Sequence, residues 1–119
     1  MNKNNSYVIE QLYAAFQNRD VAAIFALCDP EIVAVQTEEL PWGGVYQGIS
    51  GLQEFFDRLT GAIESKVVAE EYLEAGDNVA VIGWTRGQVR GNGAKFDIRI
   101  VHVWTVKAGR LKMIWLRSY

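Results

Sequence analysis

The chain has one histidine, His102. Imidazole is the side chain whose ordinary pKa lies nearest neutrality, so it is the first group to consider for moving a proton or donating a hydrogen bond to a reacting oxygen. Two readings of it stand. It is a structural histidine, bonded to a backbone carbonyl or a tyrosine, or it is a functional one pointing into a pocket. Other chemistries are narrower. With one His and one Cys (Cys28), neither a protein-ligated transition metal nor an intrachain disulfide is expected. No nucleophile–base motif and no nucleotide-binding glycine fingerprint is present, and Asn92-Gly93 reads as a turn, not a phosphate loop. No cofactor is expected.

His102 lies in Lys95–Val106, KFDIRIVHVWTV, whose side chains alternate as in a half-buried strand, between turn signals at Gly91-Asn92-Gly93 and Ala108-Gly109. The elements that must position it come earlier. After a polar start, Met1–Ser6, expected to fray, Val8, Ile9, Leu12, Tyr13 and Phe16 fall at helical spacing. Asn18-Arg19-Asp20 breaks that helix, and Asp20 caps a second, Val21–Leu27. Asp29-Pro30 ends it. Ile32–Gln36 reads as a short strand and Glu38–Gly48 as a loop. Ser50 starts a third helix, with Gln53 completing a capping-box pattern and Leu52, Phe55, Phe56, Leu59 and Ile63 forming its buried stripe to about Glu64. Val67–Ala75, Val79–Arg90, Ala94–Val106 and Arg110–Tyr119 then read as strands. Helices first and an antiparallel meander after them predict one α+β domain over residues 1–119.

The turns assign faces. If Asn92-Gly93 is a two-residue hairpin loop, His102 faces Gly83 and Ile100 faces Thr85, on an apolar inner side where glycine leaves space. If Ala108-Gly109 is a second such turn, Trp115 faces His102, Met113 faces Trp104, and Arg117 and Tyr119 lie further along the inner side. Arg117 there would need a carboxylate from Glu38, Glu39, Glu70 or Glu71, a ligand anion, or solvent at the mouth. On the outer side Ile82, Trp84, Val101 and Val103 gather, an apolar patch that predicts a homodimer.

A net charge of −2 with no basic run gives no reason to expect nucleic acid. No stretch has the length of a signal-peptide core or a membrane span, and a reducing cytoplasm is the expected location.

Several motifs together resemble the NTF2-like, or SnoaL-like, superfamily and, within it, the ketosteroid isomerase-related proteins. They are Tyr13-x-x-Phe16 with Asp20, Cys28-Asp29-Pro30-Glu31, Pro41-Trp42-Gly43-Gly44-Val45-Tyr46-Gln47-Gly48, and His102-Val103-Trp104-Thr105-Val106 with Gly109-Arg110-Leu111. The resemblance implies a cystatin-like, cone-shaped roll, with three N-terminal helices packed on a curved, mostly antiparallel sheet. It implies a pocket for a small apolar molecule and cofactor-free acid–base chemistry on a carbonyl substrate. His102 would take the place of the protonated Asp that donates to the enolate oxygen, Tyr13 would assist, and Glu39 (or Glu38) would be the base. Counted forward from Pro30-Glu31, the base position falls instead on Gln36, which cannot abstract a proton. The expected lining comprises Phe16, Trp42, Tyr46, Phe55, Leu59 and Gly83, with Thr85, Ile100, Trp104, Met113, Trp115 and Arg117 from the sheet. The alternative is a non-catalytic ligand-binding or subunit-association domain of the same fold.

Overall fold

In the computed structural model, which describes residues 5–118, the order of elements follows the sequence pattern. Helices α1 (Asn5–Gln17) and α2 (Val21–Ala26) are followed by β1 (Cys28–Gln36), β2 (Gly44–Gln47) and α3 (Gly48–Ala62). Strands β3 (Ile63–Ala75), β4 (Asn78–Val89), β5 (Lys95–Lys107) and β6 (Arg110–Ser118) come last. Of the polar start, Met1–Asn4 lie outside the described residues, as does Tyr119. Ser6, expected to fray, is helical and buried, and its Oγ donates to the Glu74 carboxylate at 2.7 Å.

The local chemistry accounts for most boundaries. Arg19 takes the left-handed conformation (φ 54°) that ends α1, and the Asp20 carboxylate accepts from Ala23 N at 3.1 Å to cap α2. Two boundaries differ from expectation. The loop read at 38–48 contains β2, a four-residue edge strand paired with β1. Helix α3 starts at Gly48, capped from Gln47 without a side-chain bond, so Ser50 and Gln53 sit inside the helix and form no capping box. Strand β1 reaches back to Cys28. Pro30, which has no N–H for a ladder, falls in the stretch where its register with β6 is interrupted, between Cys28 and Val33.

The six strands form one sheet in the order β2-β1-β6-β5-β4-β3, antiparallel except for the β1–β6 pair. The helices cover one face of it. Ile9 and Leu12 of α1, Ile24 of α2 and Leu52 and Phe55 of α3 share a core with Ile32, Val79, Val81, Trp104, Val106 and Leu111 from the strands. Burying these side chains is the main source of stability, at about 25 cal/mol per Å² of apolar surface.

Two registers differ from the sequence reading, with different consequences. At the β4–β5 turn the pair bonded across the loop is Val89 and Ala94, so four residues turn the chain rather than two. His102 pairs with Val81 and Ile100 with Gly83. This is a slip of two residues, and because side chains alternate with period two, every inner residue stays inner. At the β5–β6 turn the expected two-residue loop is present: Lys107 pairs with Arg110, and Ala108 and Gly109 both have positive φ. Two residues later the register shifts, from Val106 opposite Leu111 to Thr105 opposite Met113, so that Lys112 is the extra residue of a bulge. A slip of one residue reverses the faces. Trp115 therefore faces Val103, Met113 faces Thr105 and Arg117 faces Val101, all on the outer side, while Ile114 and Leu116 turn inward opposite Trp104 and His102.

Gly83 also has a different role from the one expected. A Cβ there would stand 2.0 Å from the Val68 carbonyl oxygen, and one on Gly87 would stand 2.0 Å from that of Glu64. The backbone of β3 occupies the room these glycines leave, so they permit a close approach of β3 to β4 and add nothing to a pocket.

The bulge enlarges the outer apolar patch. Leu73, Ala80, Val103, Trp115, Val35 and Val45 are successive cross-strand neighbours, one row crossing all six strands. Leu73 is 53% exposed, Trp115 39% and Val45 62%. Ile82, Trp84 and Val101 adjoin the row on the same face. The Arg86 and Arg99 guanidinium groups lie over the Trp84 ring, and that of Arg117 lies 5.1 Å from the Trp115 ring centre.

Candidate functional site

Between the inner face of the sheet and helices α1 and α3 lies a cavity of about 110 Å³. An apolar cavity of ~150 Å³ takes up benzene, so this one suits a ligand on the scale of a single ring. Its walls are almost wholly apolar: Leu12 and Phe16 of α1, Phe55, Phe56 and Leu59 of α3, Leu40 and Trp42 of the loop before β2, and Ile100, Ile114 and Leu116 of the sheet. The polar groups that reach it come from Tyr13, Gln36, Ser65, Thr85, His102 and Trp104.

Three of these form a chain of hydrogen bonds. Trp104 Nε1 donates to Tyr13 Oη at 3.2 Å, and Tyr13 Oη lies 2.8 Å from His102 Nδ1. The rings are packed as well as bonded: Tyr13 meets Trp104 edge-on at 5.6 Å between centres, and its plane lies 28° from that of His102. α1 supplies Tyr13 from the same stripe as Leu12 and Phe16, and β5 supplies His102 and Trp104 two residues apart, hence on one face.

The chain fixes one direction and leaves the other to the histidine tautomer. An indole nitrogen can only donate, so Tyr13 Oη accepts from Trp104. Tyr13 then has one proton and one further lone pair, and His102 Nδ1 is its only other hydrogen-bond partner among the described residues. With Nδ1 unprotonated, Tyr13 donates to it and the free hydrogen is His102 Nε2–H; with Nδ1 protonated, Tyr13 accepts a second time and the free hydrogen is its own hydroxyl. Either way the pair keeps one hydrogen without a protein acceptor among the described residues, and both groups line the cavity. Burial pushes the His102 pKa down to about 3 and holds the Tyr13 phenol well above its ordinary value. At neutral pH the imidazole is uncharged. Its Nε2 has no hydrogen-bond partner among the described residues, and the residue is half-buried and lines the cavity.

This arrangement can donate one hydrogen bond to an oxygen held against apolar walls, where such a bond is stronger than in water. A carboxylate base is not part of it. Among the described residues that line the cavity, Tyr13 and His102 are the only titratable ones. Glu38 and Glu39 are exposed in the loop after β1 and do not reach the lining, so the expectation of Glu39 as base is corrected. Its neighbour Gln36 is the residue present instead. Gln36 follows Ile32 and Ala34 along the inner side of β1, is 6% exposed, and its Nε2 donates to the Leu116 carbonyl at 3.4 Å.

Of the expected lining, Phe16, Trp42, Phe55, Leu59, Thr85, Ile100 and Trp104 are in place. Tyr46 is buried behind the wall, its Oη donating to the Trp42 carbonyl at 2.8 Å and its ring against Phe55. Gly83 is covered by β3. Met113, Trp115 and Arg117 are on the opposite face for the register reason given above, and Arg117 needs no buried carboxylate there. Gln36, Phe56, Ile114 and Leu116 were not anticipated as lining. Alternation from Ile32 places Gln36 inward, and Phe56 belonged to the helical stripe; Ile114 and Leu116 require the bulge. Cys28 is buried, its thiol pushed up to about 11 by desolvation and donating to Ile24 O, which makes it an inert core residue. Among the described residues no group of three or more His, Cys, Asp or Glu could hold a metal ion, and no helix is long and apolar enough to cross a membrane.

The fold and this cavity define a class. Residues 9–114 match the model of the SnoaL-like domain, and the chain belongs to that family. Solved structures agree on the NTF2-like fold. An NTF2-like protein of unknown function from Burkholderia pseudomallei superposes with a TM-score of 0.91 at 24% identity, over 99% of this chain and 92% of the other. One from Burkholderia thailandensis does so with a TM-score of 0.89 at 26% identity, over the same shares of the two chains. TerC, co-crystallized with polyporic acid, gives a TM-score of 0.88 at 25% identity, covering 97% of this chain and 91% of that one. No curated protein matches the sequence.

Proposed function

We propose that this protein binds a small, mostly apolar ring compound bearing a carbonyl or similar acceptor, and that His102 Nε2–H holds that acceptor. One observation carries the reading: the cavity's two titratable groups are bonded to each other, so that with His102 Nδ1 accepting from Tyr13 a single N–H donor is left at an apolar space, with no carboxylate among the described residues that line it. Such a site can orient and polarise a carbonyl. It lacks the second agent that enolisation needs, a base at carbon, so binding without carboxylate-assisted proton abstraction is favoured over isomerase chemistry. The likeness to TerC, solved with polyporic acid, supports a small organic ligand in this fold.

The test compares acetophenone with ethylbenzene, which has a similar shape but no acceptor. Wild type should bind the ketone about tenfold more tightly, the worth of one hydrogen bond in a dry site, and His102→Phe should abolish the preference. The methyl protons of bound acetophenone should not exchange with deuterated solvent faster than in buffer. Equal binding of the two compounds, or accelerated exchange, would contradict the proposal.

We also propose that the outer face of the sheet pairs with a second copy of the chain. The apolar row crosses six strands spaced about 4.8 Å apart and is therefore about 24 Å long. It is continuous, so it can meet its own copy across a two-fold axis.

A further inference from the structure

The cavity contains a second polar group that donation by His102 does not use. Gln36 pairs with Leu116, and Leu116 pairs with His102, so the three residues form one row across adjacent strands β1, β6 and β5. Residues in register share a face, and all three line the cavity. Gln36 is 6% exposed. The carbonyl of Leu116 can only accept, so the amide atom facing it is Nε2 and the opposite atom is Oε1. Among the described residues no donor reaches Oε1, and no buried side-chain nitrogen or oxygen is both sealed off and unpartnered. Gln36 lines the cavity. With Oε1 turned to that space, an acceptor stands at one end of the row and, in the tautomer proposed above, the His102 donor at the other, with Leu116 between them.

We propose that Gln36 Oε1 and His102 Nε2–H read the two ends of one ligand, a single aromatic ring with a hydrogen-bond donor opposite its carbonyl, as in a para-hydroxyaryl ketone. Two strand spacings put the Cα atoms of Gln36 and His102 about 10 Å apart, and both residues line the cavity between them. A single ring with polar atoms at opposite ends is of that scale, in keeping with the volume of the cavity. The inference rests on the reading of His102 as the carbonyl's donor and adds the ligand's second polar group. Without such a group, closing the site over a bare ring leaves Oε1 desolvated and unpaired, which is how a site built for a hydroxyl rejects the analogue lacking it.

The experiment measures dissociation constants by calorimetry for acetophenone, 4-hydroxyacetophenone and 4-methoxyacetophenone. Wild type should bind the hydroxy ketone about tenfold more tightly than acetophenone, whereas the methoxy ketone, an acceptor only, should gain nothing. Gln36→Leu should bring the hydroxy-to-parent ratio to about one, and Gln36→Glu, which keeps an acceptor, should hold it near ten. Near-UV circular dichroism checks that both variants keep the wild-type fold. The wild-type comparison decides the matter even if Gln36→Leu does not fold. Acetophenone binding with no gain from the hydroxyl, or a gain that survives Gln36→Leu, overturns the role of Gln36 and leaves the pocket reading standing. No binding of any of the three ketones to wild type overturns both.

Discussion

Tyr13 Oη lies 2.8 Å from His102 Nδ1 while accepting a hydrogen bond from Trp104 Nε1, and this relationship decides what the lone histidine can do. In the proposed tautomer the tyrosine, which already accepts from the indole, gives its own proton to the imidazole, and His102 presents Nε2–H, a donor, to the cavity. The alternatives open in the sequence, a structural histidine bonded to tyrosine or a functional one facing a pocket, meet in one residue: Nδ1 bonds Tyr13, and the residue lines the cavity.

Tyr13→Phe removes the proton that fixes the tautomer and leaves Trp104 Nε1–H without its acceptor. The variant should lose about 1–3 kcal/mol of stability, the cost of a buried unpaired donor, read from urea unfolding. It should also bind acetophenone several-fold more weakly, because Nε2 no longer carries the hydrogen at all times. A variant of full stability and affinity would mean that the chain of hydrogen bonds has no energetic weight.

Acid should destabilise the protein through His102. Its folded pKa is depressed to about 3, from an ordinary value near 6.5 in the unfolded chain. Between those values the unfolded state binds the extra proton, so stability falls as pH drops below about 6.5, by up to about 1.4 kcal/mol per pH unit, until the folded pKa is passed. Urea unfolding of wild type and His102→Phe from pH 7 to 4 should show a steeper decline in wild type. Parallel curves would show that the ring is not desolvated.

The fold's order was legible because each signal was local: the apolar stripe of α1, the cap at Asp20, the four long alternating strands and the turns between them. Face assignment on β4 also survived, since its error was an even number of residues. What the sequence hid was a single unpaired residue, Lys112. A bulge depends on how β6 fits β5 and β1 together, and no residue type announces it, yet it moved Met113, Trp115 and Arg117 out of the expected cavity and brought Ile114 and Leu116 in. The identity of the group in the base position could be read from alternation along β1, where Gln36 follows Ile32 and Ala34. That Glu39 stays in the exposed loop could not, because loop 37–43 has no periodicity to orient it.

Gly83 tests the close approach of β3. Gly83→Ala places a methyl group against the Val68 carbonyl, where backbone and not a flexible side chain must give way. We expect a loss of about 3 kcal/mol, measured by thermal or urea unfolding. The same substitution at Gly61, where a Cβ meets nothing within 4 Å, should not destabilise the protein. Equal, small effects at both sites would show that the crowding at Gly83 is absent in solution.

Trp115→Glu tests the proposed pairing of outer faces. A charge in the middle of the six-strand row should convert a dimer to monomer in sedimentation equilibrium at micromolar concentration, whereas Tyr13→Phe, on the inner side, should not change the mass. A wild-type protein that sediments as a monomer, or a dimer indifferent to Trp115→Glu, would contradict the proposal.

Because the chain has one histidine, its two ring nitrogens can be read without ambiguity by long-range proton–nitrogen correlation NMR on uniformly labelled protein. The account predicts a neutral ring at pH 7, with Nε2 protonated and Nδ1 unprotonated, and a shift confined mainly to Nε2 when acetophenone is added. A ring protonated on Nδ1 alone, a cationic ring at that pH, or a ketone-induced change at neither nitrogen would contradict the claim that His102 is the cavity's hydrogen-bond donor.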